Sequence, residues 1–345
     1  MAILKQYIMA AMTAWALLAL SGCYEDFNPN VAVRPVLCLN SMITAGEPVE
    51  INVTHTWAYP DGSYDMNPSV DDAVVSIFAN GTLRAADYIP QEGDRIRIVA
   101  DSPTYGSAEA EVTVPYAVQI DSLRFMCNVK EAWWQDVPGW EMLNEISFNM
   151  RIELSISDRP GVDDYFHLSD IIAFWPQENL DEGPIGGEYY PTEIFLTPGS
   201  LRYDSEPIFS EHMDVFESVM GSDAYGFTFF TDRQFPGSSY TLNLLYNDCR
   251  YFVRSEQWNP ELFDCGYTVT LSAVSKSSYD WSNYLWYSFD GMMGEIGDAG
   301  FGDQMWGYSN VSTGAGVVAA RTMSKSTINL AGFIEAAVRS NGSMK

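Results

Sequence analysis

Ile146, Phe148, Met150, Ile152, Leu154 and Ile156 take every second position of one stretch, with Ser147, Asn149, Arg151, Glu153 and Ser155 between them. Successive side chains of a strand point to opposite faces, so this period of two predicts a long strand with one buried face. Tyr240, Leu242, Leu244 and Tyr246 repeat the pattern, as do Tyr267, Val269, Leu271 and Ala273. Earlier in the chain, Ile51, Val53, His55 and Trp57 share an apolar or aromatic face. So do Val74, Ser76 and Phe78, and then Ile96, Ile98 and Ala100. Ala108, Ala110, Val112 and Val114 run up to Pro115, which has no N–H to give a ladder. Asn80-Gly81 between two such runs predicts a type I′ hairpin turn, and Gln91-Glu92-Gly93-Asp94 predicts another turn.

A different period marks two helices. Phe209, Met213, Phe216 and Met220 fall on one helical face, with Ser205 and Pro207 at the start and Gly221 at the end. A second helix is expected over about residues 279–289. Residues 290–316 hold much glycine and little periodicity, which predicts a long ordered loop. The fold class that follows is mainly β. An N-terminal immunoglobulin- or transthyretin-like β-sandwich is expected over residues 34–116. A larger β-rich domain with one or two short helices follows over 117–345, opening at Val118-Gln119-Ile120-Asp121-Ser122-Leu123.

The first residues follow neither period. Lys5 precedes an apolar run over residues 8–20 that ends in Leu20-Ser21-Gly22-Cys23. This predicts a signal peptide over residues 1–22, and its last residues look like a bacterial lipobox with Cys23 as the acylated mature N-terminus. The run is shorter than the ~20 apolar residues a spanning helix needs. A lipid on Cys23 would hold the protein at a membrane by burying acyl methylenes, with residues 23–33 as a polar tether.

Charge narrows the partners. Asp and Glu number 46 against 18 Lys and Arg, a formal net charge of −28, which repels phosphates and argues against a nucleic-acid partner. Export places the remaining cysteines where disulfides form. Cys249 with Cys265, which flank one short loop, is the favoured pairing, worth roughly 3 kcal/mol in the chain-entropy model. Cys38 with Cys127 is the other pairing considered.

Catalytic signals are thin. The histidines are His55, His167 and His212, without HExxH or HxH spacing, so no metal site and no cofactor are expected. No GxSxG elbow, Walker motif or dinucleotide glycine motif occurs. Asp71-Asp72 and Asp163-Asp164 precede apolar runs and read as turn residues. Glu295, Asp298 and Asp303 lie among glycines in a form that would suit calcium but departs from EF-hand spacing; a solvated acidic loop is the default reading. Trp133, Trp134, Trp140, Trp175, Tyr189 and Tyr190 fall in stretches of low periodicity bearing proline and glycine. They are read as loop aromatics that either contact a ligand or partner or cap the core. Trp281, Trp286 and Trp306 are expected in the core.

Four further stretches carry a resemblance. Pro35-Val36-Leu37-Cys38-Leu39-Asn40-Ser41-Met42-Ile43-Thr44-Ala45-Gly46-Glu47-Pro48-Val49 comes first. Val70-Asp71-Asp72-Ala73-Val74-Val75 follows. Phe229-Phe230-Thr231-Asp232-Arg233-Gln234-Phe235-Pro236-Gly237 and then Asn310-Val311-Ser312-Thr313-Gly314-Ala315-Gly316-Val317-Val318 complete the set. In this order behind a lipobox, they resemble a Bacteroidota outer-membrane lipoprotein family catalogued as domain of unknown function 4249. The resemblance implies an outer-membrane lipoprotein, often encoded beside a TonB-dependent receptor, and supplies no catalytic residues. It also implies surface exposure, which Glu25 and Asp26 after the lipid cysteine loosely fit. Asp121-Ser122-Leu123 is similar to an O-glycosylation signal on exported proteins of such hosts, with Ser122 as the acceptor.

The functional expectation is a non-catalytic lipoprotein facing the cell exterior, serving a TonB-dependent uptake system as an accessory or ligand-capture subunit. A stand-alone carbohydrate-binding lipoprotein and an adhesin are the alternatives.

Overall fold

The computed structural model describes residues 34–56, 69–137, 140–176, 194–195, 206–212, 228–254, 263–286 and 307–329. Among them, Val36–His55 and the residues from Ser69 onward make one compact unit. The protein is mainly β, as the alternation predicts.

The strands in chain order are β1 (Leu37–Thr44), β2 (Asn52–His55), β3 (Val74–Ala79), β4 (Thr82–Arg84), β5 (Arg95–Ser102), β6 (Gly106–Thr113) and β7 (Gln119–Val137). They continue as β8 (Trp140–Ser157), β9 (Tyr165–Pro176), β10 (Ile194–Phe195), β11 (Phe229–Thr231), β12 (Ser239–Arg254), β13 (Phe263–Val274) and β14 (Val318–Asn329). One sheet has six strands in the order β11-β9-β13-β14-β1-β2. Two four-stranded sheets have the orders β10-β12-β8-β7 and β4-β3-β5-β6. The six-stranded sheet takes strands from both sides of the boundary expected at residue 116.

Strand β5 shows why the β4-β3-β5-β6 sheet forms. Ile96 and Ile98 are fully buried, and across the ladder they meet Ala79 and Ile77 of β3 and Val112 and Ala110 of β6. This face joins one core with Leu37, Leu39 and Ile43 of β1 and Val318 and Ala320 of β14. Each large side chain so buried contributes roughly 1.5–3 kcal/mol. The buried face of β3 is therefore Ile77 and Ala79, not the expected Val74, Ser76 and Phe78. Val74 is 68% exposed, and Phe78 lies opposite Arg97, whose guanidinium sits 4.6 Å above its ring on the outer face.

The turns follow their residues. Asn80 and Gly81 have φ of 54° and 79°, as a type I′ turn between β3 and β4 requires. The Asn80 side chain donates to Asp94 Oδ1 at 2.7 Å and accepts from Arg95 N at 3.0 Å, tying this turn to the one at Gln91–Asp94.

In the other four-stranded sheet, Ile152, Leu154 and Ile156 of β8 are fully buried, with Leu242 and Leu244 of β12 opposite Leu154 and Ile152. The remaining elements are short. The expected helix at 209–220 begins as a 3-10 helix at Pro207–His212, and residues 213–220 lie outside the described residues. Beside it the Glu206 carboxylate is 1% exposed and accepts from Tyr240 Oη and Asn243 N. Its Ile208 and Phe209 are buried, and Phe209 meets Phe230 edge-on at 5.8 Å.

The second expected helix is α1 (Lys276–Leu285), which starts three residues earlier than the sequence reading because Ser275 caps it. Ser275 Oγ accepts from Ser278 N and also from Ala320 N of β14. The cap thus docks the helix on the edge of β14 just past the end of its ladder with β13.

Candidate ligand-binding cleft

Outward positions of β1 and β2 share a floor with β14. Asn40 and Met42 alternate with buried Leu39 and Ile43, so they project from the other face. Asn40 lies directly opposite Asn52 in the antiparallel pair, and Met42 lies beside Ala319 in the parallel one. Ser41 Oγ donates to the Glu50 carbonyl at 2.6 Å, extending the β1–β2 contact beyond the ladder. Trp281 of α1 lines the same space. Together these residues, with Ile51 and Val317, border an open cleft of about 630 Å³.

The wall is held from behind. Asp280, next to Trp281, accepts from Lys276 Nζ and from the Tyr308 hydroxyl. Burial, and then the Asp280 carboxylate, push the Tyr308 phenol up to about 12, so it stays a donor. The Trp281 ring stacks on Tyr284 at 5.5 Å. On the floor, Asn40 Oδ1 accepts from Val317 N at 3.1 Å, which fixes the plane of that carboxamide. Met42 is 45% exposed, and Asn40, Glu50 and Asn52 are exposed. Among the described residues, the cleft therefore offers one aromatic ring, two carboxamides, one carboxylate and a thioether.

The approach of β14 to β1 depends on glycine. Leu39 N donates to Ala315 O at 2.9 Å, Ala315 N to Leu37 O at 2.9 Å, and Ser41 N to Val317 O at 3.0 Å. Between them Gly316 has φ of +108°, and a Cβ there would lie 2.2 Å from Leu39 O. On the other side, Ser312 exchanges backbone hydrogen bonds with Glu109 of β6 at 3.1 and 2.7 Å. The segment 310–317 is thus stitched to both layers of the core.

A family model described as domain of unknown function (DUF4249) matches residues 24–327. The chain belongs to this family. No curated protein and no solved structure matches it. The family stretches quoted above take physical form in the fold. Asn310-Val311-Ser312-Thr313-Gly314-Ala315-Gly316 is the stitch just described. Asp232 is 5% exposed in the turn between β11 and β12, and its backbone N–H donates to Asp164 O. Gly237 N of the same turn donates to Asp158 Oδ2 at 2.6 Å. Burial raises the carboxyls of both Asp158 and Asp232, and each is raised further by neighbouring acids.

The residues singled out in the sequence do not converge on the cleft. Trp133 and Trp134 are not in a loop: they lie in β7 opposite Glu145 and Asn144 of β8, with Trp140 opposite Val137. Trp175 is likewise in a strand, β9, opposite Asp264 of β13. Bulges between Val129 and Glu131 and between Gln135 and Val137 break the period of two, which hid the strand from a pattern reading. Tyr189, Tyr190, Cys23, Trp57, Trp306 and the acidic glycine stretch at Glu295, Asp298 and Asp303 lie outside the described residues.

Cys249 and Cys265 sit in β12 and β13, strands of different sheets, opposite Phe148 and Phe174; their side chains lie outside the described residues. Cys38 is a free thiol beside Thr54, so the alternative pairing with Cys127 is not formed. Burial pushes its thiol up, and a hydrogen bond with Thr54 opposes this. Ser122 is half-buried at a bulge in β7 opposite Ser155, next to Asp121, which accepts from Ser157 Oγ at 2.6 Å.

His55 stacks on Tyr105 at 4.7 Å and His167 on Phe229 at 4.1 Å. Burial and then Arg321 bring the His167 imidazole down to about 4. Asp71 and Asp72 form the expected turn, where Asp72 accepts from the Ser102 and Thr104 hydroxyls. Asp164 holds a two-point ion pair with Arg159.

The cleft residues themselves escaped the sequence reading. Trp281, expected in the core, is half-buried and stands on the cleft wall. The available signal was Asn40 and Met42 alternating with buried aliphatics, which marks an outward face but not what faces it.

Proposed function

We propose that this chain is a lipid-anchored, non-catalytic binding protein that captures a ligand for a TonB-dependent uptake system, with its β-rich body outside the outer membrane. The observation that carries the reading is positional. Leu20-Ser21-Gly22-Cys23 ends one residue before the family match begins at residue 24. The recognised domain thus starts where a lipid-bearing mature chain would start. Several side chains of the kinds used in catalysis have structural partners, which supports this reading. His55 and His167 are stacked on rings, Asp164 is paired with Arg159, and Glu206 is bonded to Tyr240 and Asn243.

A lipid confines the protein to the membrane plane, so even weak contacts with a transporter act at high effective concentration. The cleft is the place for a ligand. The test is affinity purification of the tagged, lipidated protein from native outer membranes in mild detergent, followed by mass spectrometry. A stoichiometric TonB-dependent barrel among the co-eluting proteins is expected. Recovery of the lipoprotein alone would refute the accessory role.

A further inference from the structure

The cleft's chemistry is narrower than its shape. Its volume of about 630 Å³ falls within the roughly 300–1,000 Å³ typical of small-molecule sites. Among the described residues that line it, Glu50 carries the single charge, and none is a lysine or arginine. An anionic ligand would meet that carboxylate and the field of a chain with net charge −28. A cationic ligand would be drawn by the same field, but cages for ammonium groups use several aromatic walls, and the described residues of this lining supply one indole.

What the lining does supply is a mix of donors and acceptors at close spacing. Asn40 and Asn52 are directly opposed on neighbouring strands, so their Cβ atoms stand about 5 Å apart. A carboxamide both donates and accepts, and so does a hydroxyl. Two adjacent carboxamides beside a carboxylate therefore suit adjacent hydroxyl groups on one ring. The Asn40 plane is fixed by its bond to Val317 N, so that carboxamide needs little further ordering to bind. Trp281 offers an indole surface to the C–H face of such a ring, with Met42 as an adaptable apolar neighbour.

We propose that this cleft binds a neutral saccharide, with a sugar ring packed on Trp281 and its hydroxyls bonded to Asn40, Asn52 and Glu50. The inference rests on the ligand-capture reading and names its ligand class. It also moves the sugar-binding aromatic from Trp133 and Trp134, where a sequence reading looks, to Trp281.

The experiment uses the full lipidated chain in a sugar-free detergent. It is screened on an array of neutral α- and β-glucan, mannan and xylan oligosaccharides, with titration calorimetry on the best binder. Trp281→Ala is expected to weaken binding about 10-fold or more. Asn52→Ala, an exposed strand position outside the core, is expected to weaken it about 3- to 10-fold. Circular dichroism melts show whether each variant is folded, and Asn52→Ala keeps the test decisive if Trp281→Ala loosens α1.

Three results overturn the proposal: no neutral oligosaccharide binds, binding is unchanged in folded Asn52→Ala and Trp281→Ala, or the cleft takes tetramethylammonium in preference to sugars. Failure here with a co-purifying barrel would leave the transport role standing. Sugar binding without a barrel would remove that role and keep the site.

Discussion

Replacing Gly316 with alanine tests how β14 reaches β1. The new Cβ would lie 2.2 Å from Leu39 O and 3.0 Å from Asn40 Oδ1, and φ of +108° is strained for any residue with a side chain. The dihedral strain alone is worth about 1–2 kcal/mol. The overlap is with backbone, so the segment must retreat, endangering the bonds Leu39 N to Ala315 O, Ala315 N to Leu37 O and Ser41 N to Val317 O. Each contributes about 1 kcal/mol, so the total loss is about 3–5 kcal/mol. Gly46→Ala is the matched control: φ is +81° there, with no atom within 4 Å of the added Cβ, so only the strain remains. The assay is equilibrium urea unfolding followed by tryptophan fluorescence. With a slope of about 2–3 kcal/mol per molar, the midpoint should fall by about 1–2 M for Gly316→Ala and about 0.5 M for Gly46→Ala. Equal midpoints for the two variants would refute the claim that close backbone contact, rather than dihedral strain, sets the glycine at 316.

Two further predictions concern buried titratable groups. The His167 imidazole is neutral in the fold to about pH 4, whereas an unfolded histidine protonates near 6.5. Its folded pKa is lowered, so the unfolded state binds more protons between those values. The contribution is full above pH 6.5 and is lost as pH falls toward 4, by about 2 kcal/mol between pH 7 and 5. His167→Phe, which keeps the stack on Phe229, should remove that part of the acid sensitivity; an unchanged difference between urea midpoints at pH 7 and pH 5 would sink the assignment. Glu206→Ala should cost about 2–4 kcal/mol by leaving Tyr240 Oη and Asn243 N without their acceptor, and a loss under about 0.5 kcal/mol in the same unfolding assay would show that water replaces the carboxylate.

The strands could be read wherever one face is buried and pairing is regular. Ile152, Leu154 and Ile156 announce β8, and Ala108, Ala110 and Val112 announce β6. Reading failed where the ladder is irregular, as at the bulges of β7, which made a strand around Trp133 look like loop. It also failed where both faces carry apolar groups: in β3, Phe78 lies under a guanidinium on the outer side, so hydrophobicity alone named the wrong face. The cleft lay beyond such reading altogether. Asn40 and Asn52 lie far along the chain from Trp281 and Ala319, and only the order β14-β1-β2 with α1 beside it assembles them.

The parallel pairing of β1 with β14 also governs when the molecule can finish folding. Ser41 to Thr44 find Val318 to Arg321 across nearly the whole chain, with partners such as Asn40 and Val317 separated by 277 residues. During synthesis β1 emerges before β14 and waits with one edge open until β14 is made. Closing so large a loop is entropically costly before any contact rewards it, which favours slow folding. The open edge is meanwhile available to other chains. A truncation before residue 310 would therefore do more than remove a strand: it would leave a persistent nascent-like state, prone to pair with itself.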